Sequence, residues 1–496
     1  MSDLPLINHC DSWPASGRQN ASHHWIRLMS VVFLWSILIS AITVFSPHAS
    51  AKDYVVGPQA PLKELEEVPW ESLEPGDKVL IHARLEPYRS KWVICRRGTT
   101  DQPIVVMGIA NSSGQRPVID GRDALTRSSL NFWSEGRGII KIGGANRPAD
   151  LIPAHITIAN LEIRSARPPF QFKGREGLTP YPVNAASIFI EKGEDITISN
   201  CVLHDSGNGF FTSPQTRRIL VEKCSIYGNG IEGSILEHNN YTSSEGITFQ
   251  FNQFGPLREG CLGNNLKDRS AGLVVRYNWI EGGNRMLDLV DSHWKEPTSP
   301  EANYRETFVF GNILIKQNDQ GNNQVVHYGG DSGRLDQYRM GMLYFYNNTV
   351  ISERPATTVL FRLSSMQESV DCRNNIVWTT APGRSLAIFD GNGTVNLYNN
   401  WLKKDWRKTH STGQGEIHEL GVLQTGDQPG WVDIARQDFR LQTNSQTLRT
   451  GSPLPEAAIK KHQLKFFYKP HREFESRPAD RQHDFGALPI LPVADK

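Results

Sequence analysis

A short strand-like segment ending near an asparagine recurs from residue 156 to residue 402, and that repetition limits what the chain can fold into. The series reads ITIANLEI (156–163), ITISNCVL (196–203), ILVEKCSI (219–226), ITFQFNQF (247–254), LVVRYNWI (273–280), FVFGNILI (308–315), LYFYNNTVI (343–351), VDCRNNIVW (370–378) and VNLYNNWL (395–402). Apolar and polar residues tend to alternate within each segment, the period of a half-buried strand. A unit this small buries its apolar face only on its neighbours, so the expected architecture is a solenoid. Asparagines at 160, 200, 252, 278, 312, 348, 375 and 400 recur in register, most of them 25 to 36 residues apart. Asparagine at one turn of every coil can build a hydrogen-bonded ladder along the stack. These residues are therefore read as structural.

A second series lies between members of the first: IIKIGG (139–144), SIFIEKG (187–193), GFFTS (209–213), SILEHNN (234–240), the segment around Lys267, MLDLVD (286–291), VVHYGG (325–330), LFRLSS (360–365) and LAIFDGNG (386–393). Its outward residues are expected to form a column: Glu191, Glu237 or His238, Lys267, Asp288, His327, Arg362 and Asp390. Alternation also places Asn265, Lys267 and Arg269 on one face. Lys267 and Asp288 are 21 residues apart, about one coil, so the spacing sets a cation beside an anion on neighbouring rungs. Insertions at 166–184, 293–306 and 328–341 flank this region and carry Arg167, Arg175 and several aromatic residues. Loops on a rigid scaffold are where binding residues tend to sit. Aromatic rings there can stack on sugars, and cations can pair with carboxylates.

The opening of the chain beyond its leader, with PGDKVLI, then GTTDQPIVV, then RPVIDG, resembles the start of secreted right-handed parallel β-helix proteins, alginate and chondroitin lyases among them. The set His238-Asn-Asn-Tyr241, Asn265-Leu-Lys267-Asp-Arg269 and Asp288-Leu-Val-Asp291 is similar to β-helix proteins described as polysaccharide-degrading, and distantly to that lyase family. The resemblance implies an all-β fold, a right-handed parallel β-helix (pectin-lyase-like) of roughly ten coils with a capping C-terminal tail. It also implies a catalytic lysine with an arginine on the next coil, and calcium held nearby by acidic groups. Here the next coil offers Arg285 or Asp288, and the acidic residue just before the lysine is Glu259 alone. Glu237 and Glu259 are the candidate calcium ligands, with Asp288 beside them.

The chemistry implied is β-elimination on a uronic acid. A cation or metal neutralises the sugar carboxylate and stabilises the enolate-like intermediate, and a base removes the neighbouring proton. The expected catalytic group is Lys267 as base, with Arg269, His238, Tyr241 and Asp288; His238 or Tyr241 would protonate the leaving oxygen. Asn265, Arg285, Asp291, His327, Arg362, Arg167 and Arg175 are the expected substrate-binding residues. Glycoside hydrolysis by Asp288 and Asp291 is one alternative. The Asn-Thr-Asp, Asp-Asp and Gly-His-Gly set of polygalacturonase-like hydrolases is absent, as is the Asp-Pro-His-Asp motif of alginate epimerases. A non-catalytic glycan-binding surface, with an ion-pair network bracing the coils, is the other alternative.

Net charge is +1 and charged residues make up 21%, so no general attraction to nucleic acid or membrane surfaces is expected. Residues 1–51 read as a leader, signal peptide or membrane anchor: an apolar run from Leu28 to Phe45 precedes Ala49-x-Ala51, which fits a cleavage site. The protein is thus expected to be exported, or membrane-anchored if the leader is uncleaved, and to be a monomer acting on an acidic polysaccharide. Beyond the leader there are five cysteines, an odd number that does not make a disulfide framework. Cys201 and Cys224 occupy matching points of two repeats and are read as small apolar residues stacked in the core, a disulfide being the alternative. Residues 52–402 are assigned to the β-helix and 403–496 to a tail that packs back on it and caps the last coil.

Overall fold

The computed structural model describes residues 51–292, 303–318 and 321–490. Apart from Ala51, the leader falls outside the described residues, as does most of the 293–306 insertion.

Each coil has three faces. On the first, the site face, Ala186–Ser199 begins, and the same strand bends into a second face. A third face follows after a sharp turn, represented in that coil by Val202–His204. Successive coils pair in parallel on every face. On the site face, Phe210 and Phe211 pair with Asn240 and Tyr241, and these with Leu266 and Lys267. The third face is an 11-stranded parallel sheet, against the roughly ten coils expected. The inward residues of all three faces merge into one apolar core running from Val56 to Leu402. At the N-terminal end, Trp70 stacks on Trp92 with ring centroids 4.7 Å apart, closing the first coils.

The asparagine ladder is present from residue 252 to residue 400. Asn278 donates from its backbone N–H and its Nδ2 to Asn312 Oδ1 at 2.9 and 3.0 Å, and Asn312 repeats this with Asn348. The chain continues through Asn375 to Asn400. These amides are completely buried, which requires that their polar atoms be paired. Asn160 and Asn200 are not in this register. They stand one residue earlier, at the bend between the second and third faces, with φ of 58° and 51°. Asparagine tolerates that left-handed conformation better than most residues, so the same residue type recurs for a different reason. The ladder position in those coils belongs to Leu161 and Cys201. Cys201 and Cys224 are buried and unbridged, and the Cys224 N–H donates to Asn252 Oδ1 at 2.9 Å.

Coil structure continues past residue 402: Arg407–Thr409, Glu416–Glu419 and Leu423–Gly426 add to the three faces. The segment that follows folds back along the outside. Trp431, Phe439, Leu441, Tyr468 and Phe485 pack on Ile313, Ile351, Trp378 and Trp401. Ala458 and Leu464 pack on Tyr277, Phe310 and Tyr346. Phe251 and Tyr277 occupy the bend with φ of 57° and 54°; their rings stack on each other, and Tyr277 Oη accepts from the Lys465 N–H at 2.8 Å. Among the described residues, no helix is long and apolar enough to cross a membrane.

Candidate functional site

The column on the site face reads Lys141, Phe189, Phe211, Tyr241, Lys267, Asp288, His327, Arg362, Asp390 from the N-terminal side. The sequence order holds from Lys267 onward. Before it, Phe189 stands in place of Glu191, and Tyr241 in place of Glu237 or His238. The coil before Lys267 enters the face later than alternation suggests, as the strand Asn240–Thr242.

Lys267 and Asp288 face each other as the spacing predicts, with Nζ to Oδ2 at 2.6 Å. The second partner of the ammonium is Asp331 Oδ2, also at 2.6 Å. The other oxygen of Asp331 accepts from Arg269 at 2.7 Å. One carboxylate is therefore gripped by two cations, and it sits on an exposed loop rather than on the sheet. The loop is tied at both ends. Ser364 Oγ accepts from the Gly330 N–H, and Asp291 Oδ1 accepts from the Asp331 N–H at 2.7 Å. At its far end the Arg339 side chain is fully buried against Asp268 and the Ser270 carbonyl. Arg269 also donates from Nε to Tyr241 Oη at 3.1 Å and from its guanidinium to the Asp291 carbonyl at 2.9 Å.

Asp288 is completely buried and saturated. Its carboxylate receives Lys267 Nζ, Asn264 Nδ2 at 2.7 Å, His327 Nδ1 at 2.7 Å and Arg285 at 3.4 Å. Burial alone raises its pKa; the His327 hydrogen bond and the charges of Lys267, His327 and Arg285 outweigh it and hold the group well below the usual carboxylate range. Asp331 is lowered in the same way: burial opposes, and Lys267 and Arg269 prevail. For Arg269, burial acts downward but Tyr241 and Asp331 more than compensate and raise its pKa. His327 Nε2 lies 2.9 Å from Ser364 Oγ.

Several expected site residues have other places. His238 is buried; its Nδ1 accepts from the Asn264 N–H at 2.9 Å, and its ring meets Tyr241 edge-on. Burial, then the charge of Lys267, lowers its pKa to about 3, so the ring is neutral near neutral pH. Asn265 does not share the face of Lys267: its amide turns inward to the carbonyls of Gly255 and Glu281, and Asn264 reaches the site instead. Asp291 is buried and engaged with Asp331 and Arg269. Arg167 pairs with Asp205 at 2.7 Å and lies over the Phe170 ring, away from the column. Arg175 is exposed on the hairpin formed by Gln171–Gly174 and Gly177–Pro180. Glu259 is exposed and Glu237 buried. Among the described residues, no group of three or more His, Cys, Asp or Glu side chains is arranged to hold a metal ion.

Sequence reasoning missed Asp331, Asn264 and Ser364. The only signal for Asp331 was its position in the insertion directly after the VVHYGG segment. A cavity of about 690 Å³ lies elsewhere, between the third face near Trp279 and the C-terminal segment around Phe439 and Tyr468.

Three parallel faces per coil, stacked over the full core, meet a sequence match: residues 118–294 fit the family described as "Right handed beta helix region". The fold is a right-handed parallel β-helix. Solved structures similar to this β-helix include pectate lyase Pel9A, at 11% identity and TM-score 0.49 over 89% of this chain and 97% of that one. A GH136 lacto-N-biosidase from Eubacterium ramulus is 12% identical with TM-score 0.44, over 75% of this chain and 68% of its own. A PL6 family alginate lyase is 11% identical with TM-score 0.41, over 82% and 58%. No curated protein sequence matches this chain.

Proposed function

We propose that this protein is a carbohydrate-active enzyme that cleaves an acidic polysaccharide by β-elimination in the groove on its site face. The observation that carries this reading is the grip of Lys267 and Arg269 on the two oxygens of Asp331. Two fixed cations that hold one carboxylate from an exposed loop can hold the carboxylate of a uronic acid in its place. They would then neutralise the charge that builds on that group as the adjacent proton leaves.

Lys267 serves in this reading as a charge neutraliser rather than as the base. Its ammonium already donates to two carboxylates, and Asp288 remains beside it when Asp331 is displaced. The proton carrier nearest the clamp is Tyr241. Its oxygen accepts from Arg269, which leaves its own proton free to point into the groove and places a cation where phenolate charge would form. The balanced step takes the proton from the carbon bearing the carboxylate, forms the ring double bond and breaks the glycosidic carbon–oxygen bond. Tyr241 works on both sides of the step: its deprotonated oxygen, held by Arg269, accepts that proton and then returns it to the leaving oxygen, so the residue ends as it began. Hydrolysis by Asp288 and Asp291 is less well supported, since both carboxylates are buried and spent on internal contacts. The cationic role in this reading belongs to the side chains of Lys267 and Arg269. The apolar run and Ala49-x-Ala51 of the leader support an exported protein that meets its polymer outside the cytoplasm.

The test is near-ultraviolet absorbance of the unsaturated product with alginate, pectate, chondroitin and bacterial exopolysaccharides, for wild type and Tyr241→Phe. An absorbance rise with one polymer, reduced by a factor on the order of 100 or more in the variant, is expected. New reducing ends without absorbance would replace elimination by hydrolysis. Retention of polymer with neither signal would leave a binding surface, which the ion pairs of Lys267 and Arg269 with Asp288 and Asp331 favour as the second reading.

A further inference from the structure

The column N-terminal to Tyr241 is not ionic. Phe189, Phe211 and Tyr241 follow one another on consecutive rungs, each ring edge-on to the next at 5.4 and 5.2 Å. Over this aromatic run lies Arg137, with Cζ 4.7 Å from the Phe211 centroid and 5.2 Å from that of Phe189. It comes from a short turn, Glu135–Arg137, directly before the strand Gly138–Ile142. Its Nε is buried without a hydrogen-bond partner. Burial lowers its pKa, with the charges of Glu191 and Tyr241 opposing. A half-buried guanidinium held over rings while a donor goes unused is costly, unless something else supplies the acceptor.

We infer that Arg137, seated on Phe211 beside Tyr241, forms a second anionic subsite of the groove, binding a carboxylate of the same acidic glycan chain whose reacting uronate sits on Lys267 and Arg269. Phe211 is two rungs from Lys267 through Tyr241. At 4.7–4.9 Å per strand this places the subsite roughly 10 Å along the stack. The ligand class is therefore an oligomer or polymer that carries anionic groups repeatedly and lies along the axis of the solenoid. The half-buried faces of Phe211 and Tyr241 supply the apolar floor between the two anion sites. Planar, bidentate donors suit a carboxylate better than a lysine would there.

The inference rests on the carboxylate clamp of the proposed function, and its test separates the two. Oligogalacturonates and oligoalginates of increasing length, beginning with the disaccharides, are titrated into wild type, Arg137→Gln, Arg137→Lys and Lys267→Met, with folding of each variant checked by circular dichroism. The wild type should gain affinity once the chain is long enough to span both sites. Lys267→Met should lose binding at every length. Arg137→Gln should match wild type on the shortest ligand and lose the length-dependent gain, about tenfold, with Arg137→Lys in between. Equal affinity of Arg137→Gln and wild type at every length overturns the subsite and leaves the clamp standing. An equal loss at every length, shortest included, also overturns it and makes Arg137 a support of the site. Wild type that binds no ligand of any length overturns clamp and subsite together.

Discussion

Asp331 occupies the place that a ligand carboxylate would take, so its removal is informative in both directions. With Asp331→Ala, Lys267 and Arg269 lose an internal competitor. Apparent affinity for an oligouronate should rise about three- to tenfold, because a larger fraction of molecules is competent to bind. A fall in turnover without tighter binding would instead make Asp331 a participant in the reaction. Lys267→Met should be harsher. It strips a cation from a completely buried carboxylate, and although His327, Arg285 and Asn264 remain, a loss of about 3 kcal/mol in stability is expected by denaturant titration. The pH dependence has one direction. His238 titrates near 3 in the folded protein instead of 6.5, so the unfolded chain takes up its proton first. Stability from this ring is full above about 6.5 and is lost as pH falls toward 3. Asp288 and Asp331, both depressed, withdraw their contribution as pH falls below the ordinary carboxylate value of 3.8. Thermal melts should therefore show a midpoint that declines steadily on acidification from neutral pH; an unchanged midpoint down to about 4 would contradict the neutral buried ring.

At the scale of an element, the ladder and the bend show why one residue type can carry two meanings. Asn312 donates to the carbonyls of Val275 and Phe310 and to Asn348, and accepts from Asn278. Asn312→Ala leaves several of these groups unpaired in a dry core and should cost about 3 kcal/mol, measured as a lower denaturant midpoint. Asn160→Gly, at the half-buried bend with φ of 58°, keeps a residue suited to that conformation but loses part-buried amide bonds to Gly108, Arg116 and Asn200, and should cost less, about 1–2 kcal/mol. The repeat period made the stacked coil and two of its strand series legible from sequence, and the pairing of Lys267, Asp288, His327 and Arg362 followed from it. What the period could not supply was where each coil enters the site face, because loop length varies from coil to coil. That is why Tyr241 rather than Glu237 fills its rung, and why Asn264 rather than Asn265 touches Asp288. Nor could it bring in Asp331 or Arg137, which come from outside the strands and reach the column only through tertiary contacts.

On the scale of the whole molecule, the C-terminal segment acts as a side brace. It covers apolar outer surface over several coils, joining Ile313, Ile351, Trp378 and Trp401 on one side and Tyr277, Phe310 and Tyr346 on the other. Deleting residues from 431 onward should uncover these side chains, raising binding of a hydrophobic dye and light scattering on warming, while the strands through Gly426 remain able to pair. A truncated protein that stays monomeric and dye-silent would show that the brace is dispensable.

The loop that carries Asp331 also sets a threshold on what can enter. A tethered carboxylate is present at its cations at an effective concentration in the millimolar range, whatever the solution contains. Chloride, acetate or a lone sugar acid must compete against it one molecule at a time. A chain bearing many carboxylates does not, because once any part of it rests on the aromatic run, its next charge is also local. The resting self-contact thus favours polymers over their own breakdown products, and makes the groove slow to clog with the short fragments it would release.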